Sequence, residues 1–365
     1  MADGVQSNAA WLVPTTIQLV PALLLAAGML FVPQSPRWLM RQGREEECLS
    51  VISRLRNLPS DHLLVNLEFL EIKVQHIFEQ RISQRDFPRY QDGSRKSNFM
   101  LVLHSYLSLV TNRRNLKRSM IACLIMTFQQ WTGINFVLYY APFIFTDLQL
   151  GGTTTSLLSS GVVGIVEMLA TIPAVLFLDQ MGRRPALISG ALSMAVCLFV
   201  VAGIIGQCQS NWAAHKDAGW VAAVFIWLFV GCFSYSWGPG AWTIISEIFP
   251  LSLRAKGLAL GASANWLNNF AVGISTPDFV ATATFGTYIF LGMICVLGAL
   301  YVYYFLPETK GQSLEEIDRH FGDKSEDSRI ESEMQIGIAR EVGLFALAGV
   351  ETNAPEKIRE HHLKA

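Results

Sequence analysis

The stretch QQWTGINFVLYY, residues 129–140, decides what kind of fold this chain adopts. It lies within Ser119–Thr146, a run without a single Asp, Glu, Lys or Arg. Such a run is long enough to cross a bilayer core, which takes about 20 apolar residues. Yet these twelve residues hold two glutamines, a threonine, an asparagine and two tyrosines. Polar groups inside a span are costly, and they face a partner helix or a watery cavity.

Helix geometry sharpens the point. Gln129 and Asn135 are six residues apart, so on an ideal helix they point about 120° apart. For both to line one pocket, the helix must bend or unwind between them, and Thr132 and Gly133 lie there. Broken spans that line a cavity are a habit of transporters. Gln and Asn carry donors and acceptors that exchange hydrogen bonds with a hydroxyl-rich ligand. Hydrogen bonding between spans is the plainer alternative, and this stretch alone leaves both open. A second interruption favours the cavity. In SYSWGPGAWTIISEIF, residues 234–249, Gly238, Pro239 and Gly240 break a span, with Trp237 and Trp242 flanking them. A third polar cluster is ANWLNNF, residues 264–270, with Asn265, Asn268 and Asn269. The three clusters are expected to converge.

The rest of the chain fits a membrane. Of its 365 residues 51% are hydrophobic and only 16% charged, against about 25% charged in soluble domains. Seven runs are long and nearly uncharged: 5–36, 119–146, 148–178, 185–215, 218–246, 257–277 and 279–307. The expected fold is therefore all-α, with seven transmembrane helices. The first run lacks the basic leader of a signal peptide and is too long for a signal core. Of the 28 Lys and Arg, 27 fall on one side of these runs, and Lys216 alone on the other. The positive side is cytoplasmic, which places the C-terminus inside. Net charge is −1, so nothing suggests nucleic acid. The six cysteines form neither a disulfide framework nor a CxxC metal site.

This gives a first span over 1–33, a cytoplasmic loop over 34–115, a six-helix half over 116–306 and a cytoplasmic tail over 307–365. LLVNLEFLEIKVQHIFEQRI, from Leu63, has apolar residues at three- and four-residue spacing and is expected to be an amphipathic helix. In the tail SLEEIDRHF is expected to form a short helix, and the remainder to be disordered.

Six motifs, in order, resemble the sugar porter branch of the major facilitator superfamily, and within it fungal hexose, polyol and quinate-type permeases. They are PQSPRWL (33–39), QQWTGINFVLYY (129–140), DQMGRRP (179–185), GPGAW (238–242), EIFPLSLR (247–254) and PETKG (307–311). The resemblance runs from about Trp11 to Phe321. It implies sugar hydrogen bonding by Gln129, Gln130 and Asn135 and an aromatic outer gate at Tyr139 and Tyr140, to which the break at Gly238 and Pro239 is expected to belong. It implies a tryptophan under the sugar at Trp242, and polar contacts from Asn265 and Asn269. Asp179, Arg183, Arg184, Glu247 and Arg254 match a cytoplasmic charge network that holds the inner side closed. Gln34 stands where the family has Glu, which removes one charged partner. The family has twelve spans and this chain matches the sixth to the twelfth, so a truncated chain, inactive alone, is expected.

The expected activity is transport of a hexose or related polyol by alternating access in the plasma membrane, with proton coupling as an option. No catalytic group, cofactor or metal is expected; the sequence has no G-x-S-x-G and no H-x(2–4)-H. A quinate-like acid is the rival substrate, but the spans hold no Lys or Arg to receive it. A regulatory half-transporter is the alternative from another class. Glu167 is the one carboxylate in the middle of a span. It is expected to bond the substrate or to carry a proton, against a purely structural role.

Overall fold

The computed structural model describes residues 9–86, 94–148, 153–208, 215–250, 253–282, 284–312 and 326–349, with 88, 212, 317 and 321 between them. Its helices are α1 (Ala9–Ile17), α2 (Leu19–Met29), α3 (Pro36–Arg41), α4 (Glu45–Arg56), α5 (Leu63–Asp86) and α6 (Arg95–Thr111). Then come α7 (Arg113–Trp131), α8 (Ile134–Asp147), α9 (Thr153–Met181), α10 (Arg183–Cys208) and α11 (Lys216–Tyr235). The remainder are α12 (Trp237–Glu247), α13 (Arg254–Thr282), α14 (Thr284–Phe305), α15 (Glu326–Glu341) and α16 (Leu344–Ala348).

The chain divides into two compact units, one built on Leu103–Gly322 and one on Gly4–Val102 with Asp323–Ala365. In the first, α10 packs on α14 and α11, α7 on α13, and α9 on α11 and α8. Side chains such as Ile125, Met126, Phe145, Phe229, Trp237 and Phe249 fill its centre. Between spans, close packing and hydrogen bonds hold helices together, because lipid is as apolar as leucine.

Five described stretches are long and apolar enough to cross a membrane: Asn115–Pro142, Leu158–Leu178, Arg183–Cys208, Asp217–Glu247 and Phe285–Phe305. That is fewer than seven, for two physical reasons. α13 has 29 residues, ample for the bilayer, but its asparagines dilute its hydropathy. The first run is helical but splits at Gln18 into two short helices, and none of the side chains of α2 is buried.

The second unit is built from short charged helices. α3 begins with Pro36, whose missing N–H costs nothing in a first turn. α4 carries Glu45, Glu46 and Glu47 in its first turn and Arg54 and Arg56 in its last, complementing the helix dipole. It ends at Asn57, in the left-handed region with φ 53°. Leu39, Met40, Cys48, Ile52 and Val65 form one small core here. The stretch from Leu63 is the helix α5, as its spacing predicts.

The tail departs from expectation. Where disorder was expected, α15 and α16 form and lie on α5. Ile338, Ala339 and Leu344 are buried against Leu67, Val74, Phe78 and Ile82. Arg81 pairs with Glu341 at 2.6 Å. Met334, Ile338 and Ala339 in EMQIGIARE supply a stripe that the charged residues around it mask in the sequence. SLEEIDRHF lies largely outside the described residues.

Candidate functional site

The break anticipated between Gln129 and Asn135 is present. α7 stops at Trp131, and α8 restarts after Gly133, whose φ of 101° is open to glycine and strained for other residues. A Cβ there would lie 2.8 Å from Leu291 Cδ1. The turn brings both amides to one side of the pair.

The second break falls earlier than Gly238–Gly240. α11 ends at Tyr235, and Ser236, with φ −122° and ψ −79°, separates it from α12. Gly238, Pro239 and Gly240 instead lie in the first turns of α12, where Pro removes an N–H that has no helical partner anyway.

A chain of amides joins these elements. Gln129 Nε2 donates to Trp237 O at 2.8 Å and to Gly238 O at 3.2 Å, beside the second break. Gln129 Oε1 accepts from Asn265 Nδ2 at 2.7 Å. Asn265 Oδ1 accepts from Gln130 Nε2 at 2.9 Å. Gln130 Oε1 accepts from Asn135 Nδ2, and from Asn269 Nδ2 at 3.4 Å. Asn269 and Tyr139 Oη lie 3.2 Å apart. Thus α7 and α8 meet α12 and α13 through groups that the sequence separates by more than 100 positions.

The chain has a saturated end and an open end. Gln129 and Asn265 are buried, and their amide oxygens and nitrogens all engage protein partners. Asn135 Oδ1 has no hydrogen-bond donor among the described residues. Tyr139 is 51% exposed. Tyr140 is half-buried and packs on the core. A ligand presenting hydroxyls finds an unused acceptor at Asn135 Oδ1, beside the Asn269–Tyr139 pair, whose tyrosine is exposed.

Trp242 lies apart from this chain. It is five residues after Trp237, about 140° around the helix, so the fully buried Trp237 faces the core while Trp242 is 38% exposed. Trp237 donates its Nε1–H to Leu187 O at 2.9 Å. Glu167 sits midway along α9, half-buried, and its carboxylate has no hydrogen-bond or ion-pair partner among the described residues. A neighbouring set was not assigned a role from sequence. Trp131 Nε1 donates to Asn268 Oδ1 at 2.9 Å, and Asn268 Nδ2 to Thr127 Oγ1 at 3.1 Å, clamping α13 to the end of α7.

The charge cluster forms at the Lys- and Arg-rich end. Arg183 pairs with Glu247 at 2.9 Å. Thr309 Oγ1 donates to the other Glu247 oxygen at 2.6 Å. Glu308, from PETKG, accepts from the backbone N–H of Arg183 and of Arg184, each at 3.0 Å, and so caps α10. Gly182 makes room for it: φ is 89°, and a Cβ would lie 2.9 Å from Glu308 Oε2. Arg184 stacks on the Tyr303 ring at 5.3 Å and donates to Tyr303 O. Arg254 opens α13, half-buried. The side chain of Asp179 lies outside the described residues. Gln34 Oε1 accepts a 3.5 Å contact from Arg44, which is itself paired with Glu47. Sequence reasoning missed Glu308, although a carboxylate just past an apolar run and followed by Thr-Lys was a usable signal.

A bundle of membrane-length helices, two of them broken beside a chain of amides and fastened by opposite charges at one end, has the make-up of a multi-pass solute transporter. The profile of the family "Sugar (and other) transporter" matches residues 2–321, and the chain belongs to that family. It is 32% identical over 323 residues to the quinate permease of Emericella nidulans, covering 87% of this chain and 58% of that one. It is 34% identical over 319 residues to a probable quinate permease of Aspergillus niger, covering 86% and 56%. Among solved structures it resembles the proton:xylose symporter XylE bound to 6-bromo-6-deoxy-D-glucose, with TM-score 0.60 and 31% identity over 83% of this chain and 57% of that chain. The inward open XylE from E. coli matches with TM-score 0.56 and 29% identity over 82% and 55%. The fold is thus that of the major facilitator superfamily, and the chain spans a little over half the length of these relatives.

Proposed function

We propose that the amide chain is one wall of a transport site for a neutral polyhydroxylated ring, a hexose or related polyol, moved by alternating access. The observation that carries this reading is the open end of the chain, where Asn135, Asn269 and Tyr139 stand together and their hydrogen-bond partners among the described residues are uncharged. Gln130 is shared between wall and ligand, while Gln129 and Asn265 hold the wall in place. Glu167 and Trp242 belong to the same site, Trp242 as a flat apolar face and Glu167 as a hydrogen-bonding or proton-carrying group. Tyr139 and Tyr140, with the break around Gly238 and Pro239, form its gate. Asp179, Arg183, Arg184, Glu247 and Arg254 fasten the inner side, and rocking of the bundle makes and breaks their pairs. The membrane in this reading is the plasma membrane, and the Lys and Arg distribution supports a cytoplasmic C-terminus.

The relatives named as quinate permeases favour a second reading, a cyclic polyol acid. Such a substrate shares the ring hydroxyls and adds a carboxylate. Equilibrium binding of labelled glucose, xylose and quinate to the purified chain in lipid nanodiscs separates the two. Competition by neutral sugars or polyols supports the first reading. Binding of quinate alone supports the second.

A further inference from the structure

The helix that leads into the first long span is amphipathic in the reverse sense of a soluble helix. In α6, Ser105 and Leu109 are buried. Ser119 Oγ donates to Leu109 O at 3.1 Å, and Asn115 Nδ2 to Ser108 O at 3.3 Å. Asn115 opens the membrane-length stretch Asn115–Pro142. Ser119 is one turn further in, about 6 Å along the axis, so the end of α6 lies level with the edge of the span. The other side of α6 shows Leu103, Tyr106, Leu107 and Val110, at i, i+3, i+4 and i+7, each 40–56% exposed. An apolar stripe facing outward at that depth suits the boundary between headgroups and acyl chains.

The exposed side of α7 supplies the charge. It runs Arg113, Lys117, Met120, Leu124, at i, i+4, i+7 and i+11. Two cations stand at the foot of this stripe and two apolar side chains above them. That is the order of headgroup and hydrocarbon along a lipid-facing helix. Neither cation has a hydrogen-bond or ion-pair partner among the described residues.

We propose that this corner of α6 and α7 binds an anionic phospholipid. The α6 stripe enters the acyl boundary, and Arg113 and Lys117 hold the phosphate and the second negative group of the headgroup. The inference rests on the membrane fold and is independent of the transported substrate.

The delipidated full chain in mild detergent, titrated with phosphatidylserine, phosphatidylcholine or inorganic phosphate and read by native mass spectrometry, tests it. Phosphatidylserine is expected to bind roughly tenfold or more tightly than phosphatidylcholine, from two cations near a headgroup. The double variant Arg113→Gln with Lys117→Gln is expected to lose that preference, and Arg113→Lys with Lys117→Arg to keep it. Leu103→Gln with Leu107→Gln is expected to weaken both lipids. Retention of the preference by a folded Gln double variant overturns the proposal. So does the absence of a preference in the wild type, or displacement of the lipid by inorganic phosphate, which marks a simple anion site. Should the Gln variant not fold, salt decides on the wild type: a preference unchanged between about 0.05 M and about 0.5 M salt overturns the proposal, because charge attraction is screened over that range.

Discussion

Two amides six positions apart, Gln129 and Asn135 on either side of a turn, do different work, and substitution separates them. Gln129 bridges the second break and Asn265, so Gln129→Ala strands buried carbonyls and an amide. Leaving buried polar groups unpaired costs about 1–3 kcal/mol. A clear fall in melting temperature is expected, and an unchanged melt speaks against the framework role. Asn135 stands at the open end with an unused oxygen. Asn135→Ala is expected to leave the melt nearly unchanged and to weaken sugar binding about 5- to 150-fold, equivalent to roughly 1–3 kcal/mol. Unaltered binding isotherms for this variant remove Asn135 from the site. Glu167 presents the opposite situation, a carboxyl in a span without a described partner. Charged groups there cost of order 2.5–3.5 kcal/mol on insertion scales. Glu167→Gln is therefore expected to melt no lower than wild type while binding or its pH dependence changes. Wild-type binding at every pH leaves only a structural role.

The break in the first long span depends on one residue. Gly133→Ala meets two obstacles at once, a left-handed backbone and the side chain of Leu291. The backbone term alone is roughly 1–2 kcal/mol, and Leu291 must shift besides. A lower melting temperature with loss of ligand binding is the expected outcome, and a variant that matches wild type in both sinks the idea that this turn sets the wall. The tail helix is a second case. Ile338 is fully buried against α5, and Ile338→Asp is expected to release α15. Hydrogen exchange would then rise in residues 326–349 and along the α5 face that they cover. Unchanged protection in both segments contradicts the packing. Sequence periodicity showed α5 plainly, because its apolar spacing is sustained over six turns. It hid α15, where Met334, Ile338 and Ala339, the residues that pack on α5, stand among charges and their partner lies more than 250 positions earlier.

Across the whole molecule, what the sequence revealed depended on how local each signal is. Uncharged runs report spans directly, because the bilayer punishes each charge separately. The break at Gly133 was legible for a similar reason, since two amides 120° apart need a turn between them. The pairing of Gln129 with Trp237 O was not legible, because a backbone carbonyl carries no side-chain signature. Nor was the divergence of Trp237 and Trp242, which follows from where α12 begins, and that start lies before the glycines that seemed to mark it. α13 shows the converse: the asparagines that join the amide chain are what lower its mean hydropathy.

The cap that Glu308 places on α10 also carries information about manufacture. Its two backbone partners, Arg183 and Arg184, precede it by 125 and 124 residues. At about 5–20 residues per second of synthesis, the start of α10 waits roughly 6–25 s for its carboxylate. During that interval its first N–H groups have neither helical partners nor their cap. A chain that reaches PETKG, just past α14, thus fastens an element made long before. Glu308→Ala is expected to lower the steady-state amount of protein at constant message level and to raise the share degraded soon after synthesis, which pulse–chase labelling measures; wild-type turnover in that assay would show that α10 is secured without waiting for the end of the chain.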